Sequence, residues 1–355
     1  MCKSKQQPKC DESQRGFTLI EVLISIMITL IVMASVFALL SKGQRSFQRE
    51  PEIADLQQSA RTVLDMVSRD VLQAGAGLPP EFPAFTRING AGDNAPTDVI
   101  EMVGTFQLAG ELYLEPEEIS TGGIDGSNTV TMEAETTNFE IGDIVVVYND
   151  ANQNLLVPEI PQWSLGLVTG AVDNPGGNAT VDVDYGAFDP AYSWPVGSNP
   201  PPNPGFVVGG RPPKMTRVSI VRYFTVLDNA ANYNGPPPQV LMRDVDFANN
   251  PQAVGYLEDF QISYLIGVAA PVEQDNPPNP VVDLAGVPLT SENMLSSVRV
   301  TVTARSVSAG MEGATEGASG GREDDFIRKT FSTNVNPRNV SSGLEIRQMM
   351  ALNAP

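Results

Sequence analysis

The chain has 355 residues, with 42 acidic against 22 basic side chains, and its net charge of −20 excludes a cationic protein built to coat nucleic acid. Histidine is absent and the two cysteines, Cys2 and Cys10, lie in the first ten residues, so imidazole and thiol catalysis and His/Cys metal sites are excluded from the rest of the chain. No enzymatic activity is therefore expected, although hydrolysis by carboxylates alone stays open as an alternative. The 31 glycines and 29 prolines, with 18% charged residues, predict a loop-rich protein with many short strands.

A polar leader, residues 1–16, precedes an apolar run of 24 residues, 17–40. As a helix this run is about 36 Å long, which is enough to cross a hydrocarbon core of roughly 30 Å. The leader's net charge of +2 favours a cytoplasmic N-terminus and a single membrane crossing. Beyond the run, Lys42, Arg45 and Arg49 share roughly one helical face; lipid phosphates, acidic neighbouring subunits or solvent are all compatible with them.

Glu21 is the single ionisable residue inside the apolar run. An acidic group at that depth is costly and marks a candidate functional site that needs a partner. If the chain is cut after Gly16, Phe17 presents a new α-amino group one helical turn before Glu21. An ordinary secretory signal peptide fits poorly, because the small residue stands before the apolar run and the run is too long.

The segment Arg15–Leu23, RGFTLIEVL, resembles the class III signal of type IV pilins and type II secretion pseudopilins. The resemblance implies that prepilin peptidase cuts after Gly16, that Phe17 becomes the N-methylated first residue, and that Glu21 pairs with the terminal amine of a neighbouring subunit. It places the protein in the inner membrane with its head extracytoplasmic, and later in an extracellular pilus or a periplasmic pseudopilus. The implied partners are other major and minor pilins or pseudopilins. Without the leader the chain keeps 18 basic and 40 acidic residues, a net charge of −22, and no cysteine.

The helix is predicted to continue beyond the membrane as an amphipathic segment, residues 41–77. Its apolar residues are spaced by three and four: Ile53, Leu56, Ala60, Val63, Leu64, Val67 and Val71. Gly75 and Gly77, followed by two prolines, are expected to end it. The prediction is one helix over 17–74, bent at Pro51, whose second part packs on a head formed by residues 78–355.

The head is predicted to be an antiparallel β-sheet with proline- and glycine-rich loop insertions, laid on the amphipathic helix in an α+β fold. The best strand is Ser297–Arg305, where apolar and polar residues alternate. The other candidate strands carry β-branched residues or similar alternation. They are Val99–Val103, Asn128–Met132, Asp143–Tyr148, Thr180–Val183, Val218–Leu227, Val240–Arg243, Phe260–Leu265 and Phe326–Val335.

Residues 50–75 are similar to the start of the head domain in PilW-type minor pilins and J-type pseudopilins, and two later stretches, 257–264 and 297–306, resemble the paired C-terminal strands of those families. Many major pilins carry a proline deep in the apolar helix, whereas here Pro51 is the first proline after Gly16. Pseudopilins at the extreme tip typically lack the glutamate that is present at Glu21. The resemblance therefore implies a minor pilin that takes part in pilus initiation or assembly, with a type II secretion minor pseudopilin or a filament-tip adhesin or ligand-binding module as alternatives.

A weak candidate for calcium binding lies in the head. Asn149, Asp150, Asn152 and Asn154 offer oxygen ligands at nearly alternate positions, as calcium loops do. The glycine and terminal glutamate of an EF-hand are missing from their expected spacing. No cofactor is otherwise expected.

Overall fold

The computed structural model describes residues 17–78, 82, 84–88, 97–106, 116–124, 128–148, 163–187, 212–228, 239–247, 250–266, 271–274, 295–306 and 326–337. Within these residues one long helix is followed by antiparallel strands, so the α+β fold predicted from the sequence is confirmed.

Helix α1 spans Leu19–Gln73, 55 residues, and runs through Pro51 without interruption. It begins after Thr18, whose extended backbone forms the N-cap, and ends at Ala74. Gly75 and Gly77 both have positive φ angles, +73° and +76°, which glycine adopts without steric cost and which turn the chain away from the helix. The predicted single helix over 17–74 is therefore confirmed to within two residues.

The strands of the described residues form two sheets. The strands are β1 (Phe85–Ile88), β2 (Val99–Gly104), β3 (Glu117–Ile124), β4 (Thr129–Met132), β5 (Ile144–Tyr148), β6 (Trp163–Val172), β7 (Thr180–Asp184), β8 (Lys214–Leu227), β9 (Gln239–Val245), β10 (Gln252–Leu257), β11 (Asp259–Ile266), β12 (Val272–Gln274), β13 (Leu295–Arg305) and β14 (Arg328–Val335). Strands β1 to β10 form the larger sheet, and the smaller sheet has the order β12-β11-β13-β14. Every pairing is antiparallel.

Six strands of the larger sheet close into a barrel. Their pairings run β8-β3-β4-β7-β6-β5 and return to β8, because the first residues of β8 pair with both β3 and β5. Side chains of all six strands fill the interior, including Val147, Val181 and Met215. The barrel therefore has a packed core of its own, within residues 117–218.

The barrel is inserted between two neighbouring points of the sheet. Strand β2 ends at Gly104, which pairs with Ser219 in the middle of β8, and the barrel residues lie between these two positions in sequence. The outer face of β5 is also buried, because it packs with β6 and β8 against Leu78 and Phe82 just after the helix. The Phe82 and Trp163 rings meet edge to face at 5.9 Å. This second apolar layer fixes the barrel to the base of the helix.

The second half of α1 packs between the two sheets. Its buried residues Val63, Val67 and Val71 contact the inner faces of β2, β8, β11 and β13 in the main core. One turn further from the main core, Leu56 and Ala60 pack against Ala304 and Ile327 at β13 and β14. The predicted apolar stripe is therefore the face that covers the core.

Two glycines allow the strands to approach the helix closely. A Cβ on Gly104 would lie 2.8 Å from the carbonyl oxygen of Gln73, and one on Gly255 would lie 2.8 Å from Ser59 Oγ. At the first contact the Gly75 N–H donates to the Val103 carbonyl at 2.8 Å, which joins the end of the helix to β2. Larger side chains at either glycine would push the helix away from the sheet.

The head differs from the predicted single sheet. All nine predicted strands are present, but β1, β3, β6, β10 and β12 were not anticipated, and the first four of these close or extend the larger sheet. The helix contacts strands of both sheets, chiefly β13 and β14 of the four-stranded sheet and β10 of the larger sheet. Long-range pairing, which the local sequence pattern does not encode, accounts for the difference.

Candidate functional site

The N-terminus of α1 is closed by a reciprocal capping box between Thr18 and Glu21. The Glu21 N–H donates to Thr18 Oγ1 at 3.3 Å, and Glu21 Oε2 accepts from both the N–H and the hydroxyl of Thr18, each at 2.9 Å. This arrangement satisfies amide groups that have no partner within the helix and places a carboxylate at the positive end of the helix dipole. The acidic residue of the apolar run therefore has a local structural role in the isolated chain.

The carboxylate of Glu21 keeps capacity for a further donor. Both of its side-chain hydrogen bonds within the described residues use Oε2, and a carboxylate offers about four acceptor positions over its two oxygens. Phe17 lies two residues before the helix and is 85% exposed, so the chain end that cleavage would create lies at the same end of the helix as Glu21. Gly16 and the leader cysteines lie outside the described residues.

The apolar run forms a helix that is long enough to cross a membrane. The candidate span is Leu19–Ser41, 23 residues, and none of it is buried in the head. The hydroxyls of Ser25, Thr29 and Ser35 donate to carbonyls of the preceding turn at 2.7–2.9 Å, so these polar groups need no partner from lipid. The segment therefore suits a hydrocarbon environment.

A buried polar network fixes the other end of the helix to the head. Asp70 is 2% exposed, and its Oδ2 accepts hydrogen bonds from Tyr223 Oη on β8 and Arg243 Nε on β9, both at 2.7 Å. The charge-assisted bonds join the helix to two adjacent strands of the larger sheet. Arg69, at 3.9 Å from Oδ1, adds a distant positive charge.

The network raises the pKa of both Tyr223 and Arg243, so both side chains keep their protons. Burial, with the nearby charge of Asp70, raises the pKa of the Tyr223 phenol far above its ordinary value, so this side chain stays a hydrogen-bond donor. Burial lowers the pKa of Arg243, but the hydrogen bond and charge of Asp70 outweigh it and the net shift is upward. The arrangement is therefore a fixed ion pair with a phenol donor, suited to holding two elements together rather than to proton transfer.

The sequence analysis missed Asp70. The residue lies among Val63, Val67, Val71 and Ala74, where a spacing of three and four places it on the buried stripe. An acidic residue on an otherwise apolar helix face is a signal that a buried partner exists. Its partners lie 153 and 173 residues away and have no recognisable sequence pattern.

The described residues hold no group of three or more Asp, Glu, His or Cys side chains placed to bind a metal ion. The weak calcium candidate, Asn149, Asp150, Asn152 and Asn154, lies outside the described residues and stays a prediction.

Comparison with known proteins identifies one N-terminal motif. Residues 13–37 match the prokaryotic N-terminal methylation motif. No curated protein and no solved structure matches the chain. The matched residues cover the predicted cleavage position, the capping box and most of the apolar span.

The motif and the exposed apolar helix define a membrane-anchored precursor with a prepilin-type N-terminus. With the long helix packed on an antiparallel head, they support a type IV pilin- or pseudopilin-like protein. The signal implies processing by prepilin peptidase and assembly with other pilins in a membrane. The motif is typical of structural proteins.

Proposed function

We propose that the protein is a PilW-like minor pilin that is cut between Gly16 and Phe17 and takes part in assembling or initiating a type IV pilus. The observation that carries the proposal is the N-terminal motif at residues 13–37 on a helix whose apolar span, Leu19–Ser41, is not buried by the head. This exposed length of helix is available to lie beside the helices of other subunits. In this proposal the leader is cytoplasmic, as its net charge of +2 favours, and the head lies outside the inner membrane.

Glu21 is assigned the assembly role in this proposal. In the isolated chain its Oε2 closes the capping box, and Oε1 is available for the N-methylated amine of a neighbouring subunit. Helices meeting within lipid gain little from apolar contact, because lipid is equally apolar. A polar pair of this kind therefore sets the position of one subunit along the next.

The test is to replace Glu21 with glutamine and to measure the ratio of this protein in sheared filaments to that in membranes. Glutamine can preserve the capping hydrogen bonds but removes the charge-assisted part of the pairing, at a cost of about 1–3 kcal/mol per contact. Incorporation is expected to fall several-fold while insertion and processing continue. Glu50→Gln, on the same helix outside the apolar span, is the matched control; a filament ratio for Glu21→Gln equal to that control would remove the assembly role.

Processing is tested separately at Gly16. Replacement of this residue by a bulky side chain is expected to block cleavage and leave membrane insertion intact. Intact-mass analysis of filament-incorporated protein is expected to show a first residue at Phe17 carrying one added methyl group. Retention of residues 1–16 in filaments would overturn the processing step.

A minor pilin is favoured over a shaft subunit because the apolar helix has no proline before Pro51. A type II secretion minor pseudopilin shares the same N-terminus and is the principal alternative. Mass spectrometry of purified surface filaments distinguishes the two, since a pseudopilus subunit is absent from surface pili and its deletion impairs secretion.

The inserted barrel favours a second candidate function, the display of a binding module at the filament end. Gly104 and Ser219 are paired neighbours, so residues 107–216 can be replaced by a short turn that keeps the contacts of Thr105 and Phe106. The same variant carries Leu78→Ser and Phe82→Ser, since removing the barrel uncovers both side chains. Intact fibres that no longer adhere would support display, whereas loss of fibres would support an assembly role.

A further inference from the structure

A further stretch of helix separates the membrane span from the first buried residue of the helix. The span ends at Ser41 and the first buried residue is Leu56, while the backbone stays helical throughout. Residues 42–55, here called the stalk, cover about 21 Å at 1.5 Å per residue. Phe47, in the middle of the stalk, is 78% exposed.

The stalk has a sharp division of charge. Residues 42–49 contain Lys42, Arg45 and Arg49 and no acidic residue, whereas residues 50–55 contain Glu50, Glu52 and Asp55 and no basic residue. The half nearer the span therefore carries +3 in a mature chain whose net charge is −22. This basic segment, residues 42–49, therefore has a net charge opposite in sign to that of the whole chain.

The helix fixes the height of each basic residue above the hydrocarbon. Along the axis from Ser41, Lys42 lies about 1.5 Å away, Arg45 about 6 Å and Arg49 about 12 Å. The headgroup layer of one leaflet is roughly 5–7 Å thick, and charges act over a Debye length of about 8 Å beyond it. All three basic positions therefore lie within reach of lipid phosphates, Lys42 and Arg45 most closely, while Glu50, the first acidic residue, lies about 13.5 Å out, near the limit of that reach.

We propose that residues 42–49 bind anionic lipid headgroups of the leaflet next to the head. The placement favours lipid over an acidic neighbouring protein, because the span holds these residues at headgroup height before any filament forms. Each basic residue near an anionic surface strengthens the attraction by about fivefold. The repelled acidic half directs the head away from the surface, so the charge division fixes both depth and orientation of the helix.

The experiment uses the full chain reconstituted in nanodiscs of phosphatidylcholine mixed with phosphatidylglycerol. Native mass spectrometry then gives the ratio of phosphatidylglycerol to phosphatidylcholine that remains bound to the released protein. The native sequence is expected to retain phosphatidylglycerol preferentially. A variant with Lys42→Gln, Arg45→Gln and Arg49→Gln is expected to lose that preference by a factor on the order of ten or more.

A matched variant neutralises the acidic half of the stalk, with Glu50→Gln, Glu52→Gln and Asp55→Asn. It changes the same number of charges and is expected to keep or increase the lipid preference. Circular dichroism and retention in the nanodisc check that both variants stay folded and inserted. If the basic variant keeps the native lipid ratio, or if both variants change it equally, the proposal is wrong.

Two further arms separate other ligands from lipid. Inorganic phosphate is expected to be no more effective than chloride at equal ionic strength, and selective competition by phosphate would overturn the lipid assignment. Loss of filament incorporation by the basic variant without any change in lipid ratio would assign the segment to an acidic neighbouring subunit. The inference needs only the membrane span, so its failure and that of the proposed pilin function are distinguishable.

Discussion

Replacing Asp70 with asparagine tests whether the buried network holds the helix on the head. Asparagine keeps the shape of the side chain and can accept a hydrogen bond from Tyr223 or Arg243, but the negative charge is lost. The Arg243 side chain is 12% exposed and loses the carboxylate 2.7 Å from its Nε. A positive charge that is mostly withdrawn from water then lacks its main compensation.

The expected cost follows from burial and from the number of bonds. Breaking one side of a buried ion pair costs about 3–5 kcal/mol, and the partial exposure of Arg243 places this case at the lower end, about 3 kcal/mol. Tyr223→Phe removes one hydrogen bond to a charged acceptor and is expected to cost about 1.5–3 kcal/mol. The double variant should cost less than the sum, because both changes remove the same Tyr223–Asp70 contact.

The assay is urea unfolding of residues 45–355, followed by circular dichroism, with Asp65→Asn as the control. Asp65 is exposed on the same helix, so the control is expected to stay within about 0.5 kcal/mol of the native sequence. An Asp70→Asn variant as stable as the Asp65→Asn control would show that the network contributes no more than a surface contact. The apolar stripe alone would then hold the helix in place.

Three other properties can be measured. Gly104→Ala is expected to destabilise the head by about 1–3 kcal/mol, because its Cβ would meet a backbone oxygen. Gly43→Ala, with nothing within 4 Å of the new Cβ, is expected to be neutral or slightly stabilising. Equal melting temperatures for the two variants would contradict the packing argument. Burial raises the pKa of the Tyr185 phenol, and burial together with Asp70 raises that of Tyr223. The contribution of the two phenols to stability is therefore complete below about pH 10 and is lost as the pH rises toward their folded-state pKa values. Tyr→Phe variants with an unchanged alkaline decline in stability would refute this. The head from residue 45 onward is expected to be soluble and monomeric, with a melting temperature that dithiothreitol does not change, since it contains no cysteine; a reducible shift would count against the prediction.

The elements with strong local signals could be predicted from the sequence. The long helix follows from its apolar run, its spaced apolar stripe and the glycines at its end. Strand β13 follows from the alternation of Val298, Val300 and Val302 with polar residues, and these valines are fully buried. Local signals succeed here because the same face that the sequence marks as apolar is the one that the fold covers.

The unpredicted strands owe their structure to distant partners. Strand β6 contains Gly166 and Gly170, β3 contains Gly122 and Gly123, and β12 has only three residues, so their intrinsic strand preference is low. Strand β8 pairs with β2, β3, β5 and β9 along its 14 residues. The closed barrel depends on these shared pairings, which no single stretch of sequence displays.

The candidate functional residues likewise fall into a group that the sequence shows and a group that only the fold brings together. Gly16, Phe17 and Glu21 lie within six consecutive residues, so their motif is readable without a structure, and the roles assigned to them stay predictions. The Asp70 network joins three elements that are distant in sequence, and its arginine and tyrosine are unremarkable among the residues of their strands. Only the fold shows that the Asp70 carboxylate accepts hydrogen bonds from both Tyr223 and Arg243.

The packing of the helix against the last strands has a consequence for the order of folding. Ala60 contacts Ile327, which is 267 residues further along the chain, and synthesis at 5–20 residues per second separates the two by roughly 13–53 s. The barrel needs only residues 117–218 to close, so its strands can pair during this delay. The part of the helix stripe at Leu56 and Ala60 stays incompletely covered until Ile327 arrives. A chain that stops before Phe326 would therefore carry a completed barrel beside a helix whose apolar stripe is exposed at that end, a species prone to aggregation.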